Sequence, residues 1–388
     1  MTYGAEAELS VFDVAGFHGF VLNRKRGDEF TAKIDGKINE IKAERDSSGA
    51  VAFFRVASGK DPELLIKRST RCPWTAHEVI FPSKGVDMAG TEYSPSVKKK
   101  RLPAIVIVHG SGYSDRDSPY YQKLAFTLVN LGFVVLLPDK RGSGRSGGDW
   151  RQADFNELAD DALAGLDALR ADPAVDRNRV GLLGMSQGGW IVPLAASKNP
   201  EVRFVVDLSG TSVRPEEQVI HEVTEDLRGR GIREPDVQRI VELHQLLFDY
   251  FGTGGHEQAQ AYIDEYDQLS KTNLADIVKE FPRDPYGPDI QWARKIYGFD
   301  PLVLWQHLRC PSLIVFGAED EKHLIPVSES VARLKKIGAN EPRSKLTVKT
   351  IAGTGHTLGN QSGTDFHPEL KSTLSRWLQR NTGAHSIQ

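Results

Sequence analysis

Cysteine is scarce in this sequence: Cys72 and Cys310 are the two present among 388 residues, too few for a disulfide framework or a cysteine-based metal site. Metal-ligand pairs of the H-x-x-x-H or C-x-x-C kind are absent as well, so no metal is expected. No apolar stretch approaches transmembrane length, and the opening MTYGAEAELSVFDVAG lacks the basic and apolar segments of a secretory signal. A soluble, cytoplasmic protein with no membrane partner is the expectation. A large excess of charge is missing too. Lys plus Arg number 49 and Asp plus Glu 52, a formal net charge of -3, which points to neither nucleic acid nor an anionic surface. The basic run Lys98, Lys99, Lys100 and Arg101 sits among turn-forming prolines just before an apolar strand and reads as solvated loop. Cys310, between Arg309 and Pro311 at the start of another apolar strand, reads as structural.

What is present is ordinary globular material: 39% hydrophobic and 26% charged residues, enough apolar side chains for a large core. The length predicts a full catalytic domain plus appended or inserted parts. Residues 1–75 hold short β-rich runs, among them Gly19 to Leu22, Val51 to Val56 and Leu64 to Lys67, and predict a small β-rich N-terminal domain. From residue 76 a strand pair, EVIFPS and AGTEYSP, leads into buried apolar runs: AIVIV, FVVLL, VGLL, FVVDL, LIVF and LTVKTI. Runs apolar throughout are covered on both faces, the mark of a mostly parallel sheet. Between them Ser118 and Pro119 open one helix, with Gly132 past its end, and Asp154 with Glu157 forms a capping box for another. The alternation stops over residues 213–299, where Val237, Ile240, Val241, Leu247 and Phe251 recur at helical spacing and predict an inserted helical cap. The catalytic domain would then comprise residues 76–212 and 300–388.

Gly184-Met185-Ser186-Gln187-Gly188 fits G-x-S-x-G, follows a strand and opens a helix, as a nucleophile elbow requires. Ser186 is the candidate nucleophile, and glycine on both sides spares the tight turn from clashes. His109-Gly110-Ser111-Gly112 directly follows AIVIV, the position that supplies oxyanion-hole amides. Gln187 is the first candidate donor and either Ser111 or Gly112 the second. The base should follow the last strand, which selects His356 over His323 and His367; His109 comes too early and reads as a loop brace. The acid should follow the penultimate strand, where Asp320 is preferred to Glu319, with Asp207 on FVVDL a rarer alternative. Phe248, Tyr250, Phe251, Tyr262, Trp292 and Tyr297, with Trp190, are candidates for an acyl or alcohol pocket, although cap core is the commoner role of such residues. Gly142 to Gly147 fits G-x-G-x-x-G, but no helix opens there, so dinucleotide binding is set aside.

In combination, HGSGYSDRD, PDKRGSGRSGG, GMSQGGW, FGAED and GTGH resemble the α/β-hydrolase superfamily, and within it bacterial carboxylesterases with an HGSG-x-x-DRD loop and an S-Q-G-G-W elbow. The resemblance implies an α/β fold with a mostly parallel central sheet and no cofactor. It implies hydrolysis of a small-molecule ester or related acyl compound through an acyl-enzyme, with thioesterase, lactonase, peptidase and non-catalytic binding as rivals. It also implies that Asp115, Arg116 and Asp117 brace the oxyanion loop and that Asp139 to Gly144 form a structural turn. Related sequences usually place a proline closer behind the acid than Pro326 stands behind Asp320. Assembly into a homo-oligomer is compatible with all of this.

Overall fold

The computed structural model describes residues 74–96, 101–341, 345–361 and 365–384, and before them Ser47 and six strands. Cys72, Lys98, Lys99 and Lys100 lie outside the described residues. The six strands are β1 (Leu9–Phe12), β2 (Gly19–Arg26), β3 (Glu29–Ile34), β4 (Lys37–Arg45), β5 (Val51–Ala57) and β6 (Leu64–Lys67), and they pair in chain order. Each neighbour is antiparallel. In β4, Ile41 and Ala43 are buried and Lys42 between them is exposed, the period of two expected of a strand with one covered face.

The central sheet has eight strands: β7 (Trp74–Ser83), β8 (Val86–Pro95), β9 (Leu102–Val108), β10 (Val134–Pro138), β11 (Val175–Met185), β12 (Val205–Leu208), β13 (Ser312–Gly317) and β14 (Leu346–Ile351). Their order is β14-β13-β12-β11-β9-β10-β8-β7. All six apolar runs named above are strands of this sheet, parallel to one another, and β7 and β8 add an antiparallel edge. β7 begins at Trp74, just ahead of the expected start of the catalytic part.

Helices cover both faces, which is why the inner parallel strands are apolar, whereas β14 at the edge mixes Thr and Lys with apolar residues and is only partly buried. On one face Val106, Leu136, Leu182 and Ile314 pack with α2 (Phe155–Ala171) and α3 (Gly188–Lys198). On the other, Ile105, Val135, Leu183 and Val315 pack with α1 (Pro119–Asn130) and with Leu374 and Trp377 of the last helix (Pro368–Thr382). Burying each such side chain stabilises the fold by about 1.5–3 kcal/mol relative to exposure. The capping box is formed: Asp154 accepts from the Glu157 amide at 2.9 Å, and the Glu157 carboxylate accepts from the Asp154 amide at 3.0 Å. Ser118 differs from expectation. It stands at the N-cap of α1 but its hydroxyl makes no capping bond, so Pro119, with its preset φ, starts that helix instead.

Between β12 and β13 the chain builds α4 (Pro215–Gly229), α5 (Glu234–Thr253), α6 (His256–Leu269), α7 (Ala275–Val278) and α8 (Pro288–Ile296), the inserted helical cap. These helices share an apolar cluster of their own, with Leu243, Tyr250, Tyr262 and Leu269 at its centre. The short α9 (Pro301–His307) returns to the main body, and α10 (Val327–Asn340) links β13 to β14, ahead of the last helix, α11.

Asp207 is wholly buried in β12 and accepts a hydrogen bond from the Gly210 amide at 2.9 Å. A β-carbon at Gly189 would lie 2.4 Å from its Oδ1 and one at Gly210 2.3 Å, so the packing around this carboxyl demands glycine on both sides. Burial pushes its pKa up to about 8. The folded protein therefore keeps a proton that the unfolded chain loses above about pH 4, and the stability tied to this group falls as pH climbs from about 4 to about 8. Asp207→Asn is flat across that window. Thermal unfolding from pH 5 to 9 should show the variant gaining on the wild type as pH rises, by on the order of several kcal/mol at the top; a difference independent of pH would refute the neutral acid.

Candidate active site

The serine of the elbow has a backbone that few L-residues adopt: Ser186 has φ 54. It sits between the last residue of β11, Met185, and the first of α3, Gly188, and its amide donates to the Leu208 carbonyl at 3.0 Å. The flanking glycines are obligatory here. A β-carbon at Gly184 would come within 2.3 Å of the Gly188 oxygen, and one at Gly188 within 2.4 Å of the Val108 oxygen.

The loop after β9 passes directly against this turn, with a β-carbon built on Gly110 falling 3.3 Å from that of Ser186. The Gly110 amide is spent on the Tyr121 phenol oxygen at 2.7 Å. The amides of Ser111, Gly112 and Gln187 donate to no acceptor among the described residues, which is the condition of a preorganised anion site. Lys140 lies beneath: its Nζ donates to the Gly110 carbonyl and to the Gln187 Oε1, both at 2.8 Å. Only 7% exposed, this amine is pushed by burial down to about 7. His109 is buried edge-on against Tyr121, with ring centroids 4.3 Å apart. Burial, helped by Lys140, pushes its imidazole down to about 3, so it is neutral and locked in the loop. Below, Arg116 donates from its amide to Asp139 at 2.9 Å and from its guanidinium to the Gly90 carbonyl at 2.8 Å, while Asp115 accepts from the Tyr113 hydroxyl at 2.9 Å.

At the heads of β13 and β14 two turns interlock. A β-carbon at Gly317 would sit 2.3 Å from the Gly355 oxygen, and the Glu319 amide donates to the Thr354 carbonyl at 3.1 Å. Asp320 occupies the 3-10 turn Ala318–Lys322, is 1% exposed, and its Oδ2 lies 2.7 Å from the His356 Nδ1. Its neighbours point elsewhere. Glu319 is exposed and pairs with Lys322, and Glu321 accepts from the Ser328 amide. Asp207 is enclosed by Gly189 and Gly210 as described above, away from the imidazole. Pro326 forms the N-cap of α10, and the Ile325 amide before it returns to the Asp320 carbonyl at 3.3 Å, so the longer spacing leaves the carboxylate in place. His367 caps α11 by accepting from the Glu369 amide at 3.2 Å.

The fold thus joins His356 to Asp320 and sets Ser186 two strands away along the same sheet edge. No hydrogen bond links the Ser186 hydroxyl to the His356 ring, a contact often long before substrate arrives. Two contributors escaped the sequence reading. Lys140 lay in a segment read as a structural turn, Asp139 to Gly144, where nothing local sets it apart from Arg141 beside it. Glu222 of α4 is the other: burial pushes its carboxyl up, against the pull of His356. The aromatic candidates for a pocket are mostly cap core, with Tyr250 and Tyr262 buried, Phe248 and Tyr297 packed against them, and Trp190 tied by its indole to the Val213 carbonyl at 3.1 Å.

The model of the Alpha/beta hydrolase family matches residues 105–368. Esterase EstD of Thermotoga maritima is 24% identical over 327 residues, 81% of this chain and 69% of its own. Among solved structures, a DcsB complex with a substrate analogue superposes with a TM-score of 0.53 at 18% identity, covering 80% of this chain and 100% of that one. Est1E from Butyrivibrio proteoclasticus, solved with ferulic acid, gives 0.50 at 18% identity over 79% of this chain and 99% of its own. With sheet, inserted cap and elbow as described, the chain belongs to the alpha/beta hydrolase family.

Proposed function

We propose that this protein hydrolyses carboxylic esters of small molecules through an acyl-enzyme, with Ser186, His356 and Asp320 as catalytic residues. The observation that carries the reading is the buried Asp320 carboxylate on His356 Nδ1 at 2.7 Å, at the same sheet edge as the strained Ser186. A carboxylate on Nδ1 fixes the imidazole tautomer so that Nε2 is left to take a proton. His356 removes the Ser186 proton, the oxygen attacks the ester carbonyl, and the resulting oxyanion is met by the amides of Gln187 and of Ser111 or Gly112. The proton passes to the leaving alcohol, and water, activated by the same imidazole, releases the acid. The esterase name of the Thermotoga maritima relative supports the ester as substrate class.

Catalytic and non-catalytic readings separate on a fluorophosphonate probe, which should label the wild type at Ser186 and leave Ser186→Ala unlabelled. On a short activated ester, Ser186→Ala should lose at least about 1000-fold in kcat, and Asp320→Asn on the order of 100- to 10,000-fold. Full turnover by the serine variant would sink the assignment. A panel of esters, thioesters, lactones and aminoacyl amides, ranked by kcat/KM, tests the substrate class, and preference for any other class would replace the ester reading.

Lys140 is read as a positioning residue that acts through the two oxyanion-hole segments. Lys140→Met should lower kcat about tenfold or more, with KM nearly unchanged, because misaligned donors are missed chiefly in the transition state. A change confined to KM would mean that the amine only shapes the pocket.

A further inference from the structure

Away from the catalytic edge, His77 of β7 and Glu92 of β8 are direct partners in the antiparallel register. Side chains opposite each other share a face, here the face covered by α2, whose next rows inward are Val79 with Gly90 and Phe81 with Met88. The helix ends where this row reaches the surface, and its C-cap residue, Asp172, closes on the pair. One ligand atom from each of the three residues lies within 4.8 Å of the others.

Among the described residues no basic side chain neutralises the cluster, and without an ion Glu92 and Asp172 can pair with each other only by sharing a proton. Glu92 is 4% exposed, and its Oε1 is buried without a hydrogen bond. That oxygen lies 3.5 Å from the His77 Nε2, too far for a good hydrogen bond. Among the described residues no lysine or arginine pairs with Glu92 or with Asp172. Asp172 uses Oδ1 for the Ala174 amide at 2.6 Å, which leaves Oδ2 available. Two carboxylates side by side, one of them buried, are held together by a shared proton or by a cation that displaces it.

We propose that His77, Glu92 and Asp172 bind one divalent transition-metal ion, zinc by the donor set, which fastens the edge hairpin to the end of α2. Zinc bonds of about 2.0–2.2 Å in a tetrahedron put neighbouring ligand atoms about 3.4 Å apart, close to the 3.5 Å between Nε2 and Oε1. Imidazole with carboxylates favours zinc or its neighbours, whereas calcium and magnesium prefer oxygen alone. His77, with its side chain 55% exposed, leaves an entry path and room for water as the fourth ligand. Two carboxylates and a neutral imidazole also neutralise the ion. This role is structural and independent of ester hydrolysis, since Asp172 precedes the first residue of β11 and Ser186 follows its last.

The full chain, stripped of metal with a chelator, should be titrated with zinc, magnesium and calcium chlorides by calorimetry and thermal unfolding. Zinc should bind at one equivalent and, at a hundredfold excess over its Kd, raise Tm by about 5 °C, with magnesium and calcium ineffective. His77→Ala and Asp172→Asn should each weaken zinc binding at least about tenfold. Glu92→Gln, which preserves shape, should do the same. No zinc binding, binding unchanged in all three variants, or an equal response to calcium would overturn the proposal.

Discussion

One strained residue, Ser186, organises the site, and the surrounding packing exists in a form that keeps it strained. A left-handed backbone at a non-glycine position costs on the order of 1–3 kcal/mol and persists only where its surroundings over-determine it. Here β11 is held between β9 and β12, and the Ser186 amide is bonded to the Leu208 carbonyl. The following helix is drawn so close that Gly184, Gly188, Gly189 and Gly210 have no room for a β-carbon. Asp207 belongs to this clamp: wedged between Gly189 and Gly210, it tightens the seam between β12 and α3 and, being neutral, adds no charge beneath the elbow.

Much of this architecture was legible beforehand, and the reasons are physical. A strand buried on both faces has to be apolar along its whole length, so the inner parallel strands declared themselves. The elbow announced itself through glycines that tolerate no substitute, and the order of motifs along the chain matched the order of strand ends that carry them. Choosing among Glu319, Asp320 and Glu321 was harder. Three consecutive residues of a tight turn point in three directions, and only Asp320 turns inward. Lys140 and Tyr121 were not legible at all, because each works by reaching a segment distant in sequence. A separation of 47 positions from Lys140 to Gln187 leaves no local pattern. The aromatic residues of the cap are mostly the core that was their commoner expected role, although a helix face alone gives no sign of whether it meets a ligand or another helix.

The cap and the main body each have an apolar core, α8 enters both with Ile290 in the first and Ile296 in the second, and polar bonds add to the seam. Glu217 of α4 is gripped by Arg333 of α10 at 2.8 and 2.9 Å, the Trp292 indole donates to the Ala153 carbonyl at 3.1 Å, and the Gly298 amide donates to Glu216 at 3.1 Å. Partly exposed pairs of this kind contribute only about 0–1 kcal/mol each. Next to these contacts α4, which carries Glu222, runs straight from the stem at Arg214. Any displacement of the cap therefore moves a half-buried carboxyl relative to the imidazole.

Lys140 also bears on which loop amide meets the oxyanion. Its amine finds no carboxylate among the described residues, only two carbonyl acceptors and the face of Trp150, whose centroid lies 5.4 Å away. A hydrocarbon side chain would fill that volume without the cost of burying an amine, so the gain has to lie in what the amine orients. In a trans peptide the carbonyl of one residue and the amide of the next point in opposite directions. Holding the Gly110 carbonyl toward Lys140 therefore turns the Ser111 amide away from it, while Gly110 itself packs against Ser186. The Gly112 peptide has no such anchor, and with φ 78 its orientation rests on the glycine alone. Under the proposed mechanism Ser111 is the better choice for the second donor, and a single amine would align both halves of the hole: one through the main chain of Gly110, the other through the side chain of Gln187.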